Sequence, residues 1–447
     1  MRVIIVGAGE VGYHLAERLS QENQDVVVVE ADPERAERAS ELLDVMTVVG
    51  NGASIPVLED SGVRDARLLL AVTSQDEVNL ISCLAASRLG VDYTIARISN
   101  PDYYTRGSVL SRERLGIDLM INPEREAARE TFQLLQSAAA TDVANFAEGR
   151  VQLLGLIVQE GAPVAGKTLA TLGEEFRDYH YVIVAILREG RTAIPTGAST
   201  IEVGDQLYML SPTKHVAAIP PLLGYDAFDL RRVMIAGGSP EGEFLAAMLG
   251  EQGIECTILD NDRRRCLELA ESLPKALVLH ADATDLELLD MEGVSGIDGF
   301  VASTGHDETN LLSSLLAKTV GARKVVSHIE KFEYLPLVPR VGLDAAVSPR
   351  MSTVNAILRY VRRGRVMTVA TLKGIDAEAI EFRVGPESPI AEQTLSDMDF
   401  PEGGVIGTII RGDLIIIPRG PDQILPGDEV IVFALPEAIP DIEKLFD

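Results

Sequence analysis

Gly7, Gly9 and Gly12 stand at G-x-G-x-x-G spacing in Gly7-Ala8-Gly9-Glu10-Val11-Gly12, and Glu30 follows Gly12 by 18 positions. Glycines at that spacing suit the holding of a phosphate on main-chain N–H groups, with a purely structural turn as the plainer alternative. The first permits a tight turn, the second lets backbone approach a pyrophosphate, and the third lets a helix pack on the strand before it. The helix N-terminus then attracts the anion. A carboxylate at the distance of Glu30 accepts hydrogen bonds from both ribose hydroxyls of an adenosine, which favours NAD over NADP. The pattern has this meaning only between a strand and a helix. Residues 3–6 and 26–29 are β-branched runs without charge, as strands buried on both faces of a parallel sheet require, so the context is present.

An enzyme using such a cofactor needs an acid or base beside the reacting carbon and a domain to hold substrate. The sequence offers little of either. His14, His180, His215, His280, His306 and His328 are scattered, and none is spaced to pair with a carboxylate or cysteine. HExxH, GxSxG, CxxC and Walker patterns are absent. Cys83, Cys256 and Cys266 fall in apolar patterns and read as core thiols of a reducing compartment. A nucleotide bound here is expected to act as a signal or a structural ligand, with an NAD-dependent oxidoreductase as the alternative.

The elements that must position these residues alternate. A helix over 33–43, a strand over 45–49, a turn at 50–54 capping a helix over 55–61, a strand over 68–72, a helix over 78–89, and strands over 93–98 and 116–121 together predict a doubly wound parallel sheet. Ser74 and Glu77 have capping-box spacing, and Leu80, Ile81, Leu84 and Leu89 are expected on the inner side of the helix that follows. Residues 123–148 read as one long helical stretch. From 151 to 211 the apolar residues fall in short runs with a hairpin signal at Glu189-Gly190, a turn at Gly204-Asp205 and one helix near 167–172, the pattern of a small α+β unit. A proline-containing linker over 219–230 closes this half.

The second half repeats the first with an offset of about 230. VMIAGGSPEG at 233–242 repeats the strand and turn, and CTILD at 256–260 repeats the second strand with its acid, Asp260. Thr73, Asp76 and Asn79 match Thr304, Asp307 and Asn310, and PVAGKTLATL at 163–172 matches PIAEQTLSDM at 389–398. The expected organisation is α/β: two Rossmann-like domains at 1–148 and 230–365, each followed by a small α+β domain, at 149–222 and 366–447. In the second turn Ser239 replaces Gly9 and Pro240 replaces Glu10, which hinders backbone approach and removes one N–H. His328 replaces Arg97, a plausible phosphate partner. The first turn is therefore expected to be competent and the second weaker, altered or empty.

With 447 residues the chain is too long for one ordinary core. Its 68 acidic against 40 basic side chains give a formal charge of -28, which repels nucleic acid, so no nucleic-acid partner is expected. Such acidity fits a protein working at high salt, and equally an ordinary acidic cytosolic one. No apolar run approaches the ~20 residues that span a bilayer, and the N-terminus enters a strand without a basic region or cleavage site, so a cytoplasmic location is expected. Arg359, Arg362, Arg363 and Arg365, in and after a helix over 352–363, form the basic cluster of this acidic chain and suit a solvated face or an acidic partner.

Both glycine turns, the AVTSQDEVN and STGHDETN segments and the repeated PVAGKTL and GD modules together resemble the TrkA family of Trk potassium uptake regulators, which carry two RCK domains, over nearly the whole chain. The resemblance implies a cytoplasmic protein, peripheral on the membrane, that forms a homotetrameric ring beneath a TrkH- or TrkG-type channel and controls potassium flow in response to NAD(H), ATP or ADP. It implies that Gly7, Ala8, Gly9, Glu10, Val11 and Gly12 hold the pyrophosphate and Glu30 the ribose. Asn51, Thr73 and Arg97 would line the rest of the site, with Asp260 in a doubtful second one. From the residues themselves no catalytic residue and no metal are expected.

Overall fold

The computed structural model describes residues 2–22, 24–103, 110–136, 140–176, 180–225, 230–361, 366–371 and 377–446. Two compact units emerge, one comprising Met1–Ala127 with Pro349–Val361, the other Ala128–Ser348 with Arg362–Asp447.

The first unit is built on a six-stranded parallel sheet ordered Met46–Val49, Asp25–Glu30, Arg2–Val6, Leu68–Ala71, Tyr93–Arg97, Leu119–Ile121. Helices cover both faces, which is why its central strands read as unbroken apolar runs. Ile4, Val6 and Leu69 face Leu58, Leu80, Cys83 and Ala86 on one side. Val3, Ile5 and Val28 face Leu15 and Leu19 of helix Glu10–Gln21 on the other. That second layer is completed by Val354, Ile357 and Leu358 of helix Pro349–Val361, a segment from the far end of the sequence. Burial of each of these three side chains stabilises the unit by roughly 2 kcal/mol.

The second unit holds a matching parallel sheet ordered Ala276–His280, Glu255–Asp260, Arg232–Ala236, Gly299–Ala302, Lys324–His328, Ala345–Val347. Two five-stranded antiparallel sheets accompany it, and they share a core in which Phe146, Leu153, Tyr208 and Leu210 meet Ala379, Ile410, Ile431 and Phe433. Each antiparallel sheet carries the same ion pair. Arg188 Nε and Nη2 donate to the carboxylate of buried Asp205 at 2.7 and 2.8 Å, and Arg411 does the same to Asp428 at 2.9 and 2.8 Å. The hairpin signal holds, because Glu189 and Gly190 adopt φ of 50° and 77°, both positive as the tight turn between Val182–Arg188 and Arg191–Ala193 demands.

Several local expectations are corrected. The long helix from residue 123 ends at Gln136, and Ala140–Phe146 is a strand paired with Val151–Ile157. The alternation of buried positions there outweighs the absence of glycine and proline that suggested helix. Ser74 and Glu77 form no capping box, since the helix starts at Asp76 with Gln75 at its cap and no side-chain cap bond. Ser54 occupies the cap position of Ile55–Asp60 and likewise makes no side-chain bond. Ile81 faces outward, 46% exposed, and the buried stripe of its helix runs through Asn79, Leu80, Ser82, Cys83 and Ala86. The linker over 219–230 begins as a packed element, with Ile219, Leu222 and Leu223 in the core. Of the arginine cluster, residues 362, 363 and 365 and the side chain of Arg359 lie outside the described residues.

Candidate nucleotide site at the first glycine turn

The strand order of the first sheet reverses between Arg2–Val6 and Leu68–Ala71, and ligands of such sheets bind outside the carboxyl ends of the strands at that switch point. Both strand ends carry singled-out residues there. Gly7 follows Arg2–Val6 with φ of 103°, and a Cβ added to it would come within 3.0 Å of the Thr73 side chain. A Cβ on Gly12 would lie 1.8 Å from the Gly7 carbonyl oxygen, so the helix sits against the turn as closely as its third glycine allows. Gly9 is different, because a Cβ there would meet no atom within 4 Å. Its lack of a side chain serves no packing contact and leaves open space beside the turn.

Glu30 ends the second strand and is buried. Its Oε2 accepts from the Ala8 N–H at 2.5 Å and its Oε1 from the Asp32 N–H at 2.9 Å. The carboxylate is thereby fixed against the turn, with one further lone pair on each oxygen for a diol. Asn51 lies in the loop after Met46–Val49, its Oδ1 accepting from the Ala53 N–H at 2.9 Å, and the Gly50 N–H donates to the Glu30 carbonyl at 2.8 Å. Arg97 closes strand Tyr93–Arg97, and no ion pair engages it among the described residues. Fully buried Asn79 joins Thr73 to Arg97: its Oδ1 accepts from Thr73 N at 2.9 Å and Thr73 Oγ1 at 2.7 Å, and its Nδ2 donates to Thr73 O at 3.0 Å and Arg97 O at 2.8 Å. Asp76 accepts from the N–H groups of Ser99 and Asn100, holding the chain that leaves the same strand. Glu10 and Val11 open helix Glu10–Gln21, with the Glu10 side chain turned to an ion pair with Arg350.

The second turn has the same backbone and different side chains. Gly238 N–H donates to Asp260 Oδ2 at 2.6 Å as Ala8 does to Glu30, and Asn310 spans Thr304 and His328 as Asn79 spans Thr73 and Arg97. Ser239 Oγ, however, accepts from the Gly242 N–H at 3.2 Å, and it is linked to Ser303 Oγ at 2.6 Å, which is linked to His328 Nδ1 at 3.0 Å. His328 Nε2 in turn meets Thr131 Oγ1 of helix Pro123–Gln136 at 2.8 Å. Arg265 lies over the turn, donating to the Gly238 carbonyl at 2.7 Å and to Glu243 at 2.6 Å. The Gly242 N–H at the helix start is thus capped by a side chain, and Pro240 supplies no N–H.

The two turns therefore differ at their helix starts, the first without a side-chain cap at Gly9 and the second capped by Ser239. Burial pushes the Cys83 thiol up and the Cys256 thiol up to about 12, and Cys266 is raised by the same cause, so the thiols stay protonated near neutrality. His14 does find a carboxylate, Glu17 Oε2 at 3.2 Å one helical turn away, on the flank of the helix. No group of His, Cys, Asp and Glu able to hold a metal occurs among the described residues, nor does a helix long and apolar enough to cross a membrane.

The TrkA-N domain family matches residues 3–123 and 233–349, and the TrkA-C domain family matches residues 153–224 and 379–447. The chain belongs to the TrkA family. Members similar along the whole length include the Trk system potassium uptake protein TrkA homolog 1 of Methanosarcina mazei, 38% identical with 100% of both chains covered. The TrkA of Halomonas elongata is 36% identical, covering 100% of this chain and 98% of its own. Among solved structures, the GsuK channel bound to NAD covers 100% of this chain and 78% of that one, with a TM-score of 0.61 and 21% identity, a likeness of fold. The strands of each parallel sheet overlap a TrkA-N match, and most strands of each antiparallel sheet overlap a TrkA-C match, Ala140–Phe146 and Val366–Thr371 lying outside. Asn79 and Asp76, absent from the expected site, were visible as positions shared by the two repeats. Arg350 had no local signal, being more than 300 residues from the turn it reaches.

Proposed function

We propose that this chain is the cytoplasmic, non-enzymatic regulatory subunit of a Trk-type potassium uptake system, peripheral on the membrane through a TrkH- or TrkG-type channel subunit. In this reading the first TrkA-N domain binds NAD(H), ATP or ADP through residues 7–12, Glu30, Asn51, Thr73 and Arg97, and the second binds none. The observation that carries the reading is the contrast between the turns: one kept clear at Gly9, the other capped by Ser239. The names of the full-length relatives support the potassium system, and the NAD-bound and ADP-bound GsuK structures support the ligand class.

Nucleotide acts by changing the shape of a homotetrameric ring. A ligand shifts such an equilibrium only by its differential affinity, typically ~1 to 3 kcal/mol per site. Four concerted sites sum to roughly 4 to 12 kcal/mol on that scale, a range that spans the ~5.5 kcal/mol that carries a gate from 1:99 to 99:1. The test is a pull-down from native membranes combined with light scattering in two different nucleotides. Recovery of a potassium channel subunit and a tetramer in both nucleotides is expected. A monomer throughout, or stoichiometric NADH oxidation with a carbonyl substrate, would overturn the reading.

A further inference from the structure

Helix Pro349–Val361 belongs by sequence to the second repeat, yet it is part of the first unit, where it packs on helix Glu10–Gln21 through Val354, Ile357 and Leu358. Its first turn places Arg350 in an ion pair with Glu10, the opening residue of the helix that follows the first glycine turn. Both side chains are partly exposed, and an exposed ion pair contributes little to stability, so exchanging its partner costs little. A guanidinium is thereby held at the N-terminus where the proposed site gathers phosphate, on a residue type whose planar fork matches phosphate oxygens.

The equivalent position in the other repeat carries the opposite sign. Aligning Pro123 with Pro349 puts Glu124 opposite Arg350, and Glu124 accepts from Ser99 Oγ at 2.9 Å. The helix that serves the capped turn through Thr131 therefore has an acid where the helix that serves the open turn has an arginine. Glu10 also has no acidic counterpart, since Pro240 stands there. The arginine and its acid occur together, beside the turn kept clear for a ligand.

We propose that Arg350 is a phosphate ligand of the first nucleotide site, held by Glu10 until a nucleotide arrives and transferred to its phosphates on binding. The inference rests on the nucleotide reading above and adds a selectivity. A terminal phosphate carries more negative charge than the diester phosphates of a dinucleotide, so the transfer favours ADP and ATP over NAD(H). Glu10 is the competitor, because its carboxylate and the incoming phosphate want the same cation and the same helix end. The first site is thus completed by the second repeat of the same chain.

Calorimetric titration of the full chain with ADP, ATP and NAD tests this in the wild type, Arg350→Gln, Glu10→Gln and the double variant. Arg350→Gln is expected to weaken ADP and ATP about tenfold, the low end of a charge-assisted hydrogen bond, and NAD less. Glu10→Gln is expected to tighten ADP, and only while Arg350 is present. An unchanged ratio of ADP to NAD affinity in Arg350→Gln, with Glu30→Ala lowering both, overturns the inference and leaves the site standing. Absence of any binding by the wild type overturns the nucleotide reading and the inference with it. If circular dichroism shows that Arg350→Gln does not fold, Glu10→Gln decides alone, since an unchanged ADP affinity there refutes the competition.

Discussion

Lys324 is 1% exposed, inside strand Lys324–His328, and its Nζ donates to the Ala140 carbonyl oxygen. Burial pushes its ammonium down from the ordinary 10.5 to about 8, against the opposing pull of Asp344 and Asp142 and with Lys318 adding to the shift. Between those two values the unfolded chain binds more protons than the folded one, so this residue makes stability rise with pH across that window. The penalty is fully present below pH ~8 and gone above ~10.5, and at 1.36 kcal/mol per pH unit it amounts to about 3 kcal/mol. Lys324→Met keeps the apolar stem and removes the charge. Urea unfolding of both chains from pH ~7.5 to ~10.5 is the assay, with the difference in stability as the readout. The Met variant is expected to gain on the wild type at the lower pH, and the gap is expected to narrow by about 3 kcal/mol over the range. The loss of the bond to Ala140 adds an offset that does not vary with pH. A gap that stays constant or widens with pH would falsify the assignment of a charged, desolvated amine.

Glu30→Ala is expected to weaken NAD(H) or adenine nucleotide binding by ~1 to 3 kcal/mol in calorimetry, and Asp260→Ala to leave it unchanged. Gly9→Ala is expected to keep the melting temperature and lose nucleotide affinity, because its new methyl group meets only open space. Gly12→Ala is expected to lose both, because its methyl group collides with the Gly7 carbonyl. Calorimetric stoichiometry should come out near one nucleotide per chain, and two equal sites would contradict the reading of the Ser239 cap. Arg188→Ala is expected to destabilise by about 2 kcal/mol, since buried Asp205 loses two charge-assisted bonds, and a chevron or urea titration measures it.

The first turn was legible because each of its residues is constrained by its immediate neighbours in sequence: a strand before, a helix after, and an acid one strand away. The repeat added Asp76 and Asn79, whose hydrogen bonds recur at Asp307 and Asn310. What escaped was set by distant contacts. Ser74 has the right spacing for a cap, but the helix entrance is organised by Thr73 and Asn79, and Asp76 is held by the next strand's exit. Ile81 has an apolar side chain and an outward Cα, so its type misleads and only the position of the sheet reveals its face. The turn from helix to strand after Gln136 depends on pairing with Val151–Ile157. Arg350 beside Glu10 required knowing that one repeat lends its helix to the other.

That loan has a consequence for anyone who cuts the chain. Helix Pro349–Val361 covers Leu15 and Leu19 in the first unit, and helix Pro123–Gln136 carries Thr131 into the second. A fragment ending before residue 230 would keep its own glycine turn and lack the helix that covers Leu15 and Leu19 in the hydrophobic layer. Expressed alone, it is a recipient without a donor. Mixing the two halves as separate polypeptides should restore what neither has, so the tandem gene behaves as a pair of complementing fragments that happen to share one backbone.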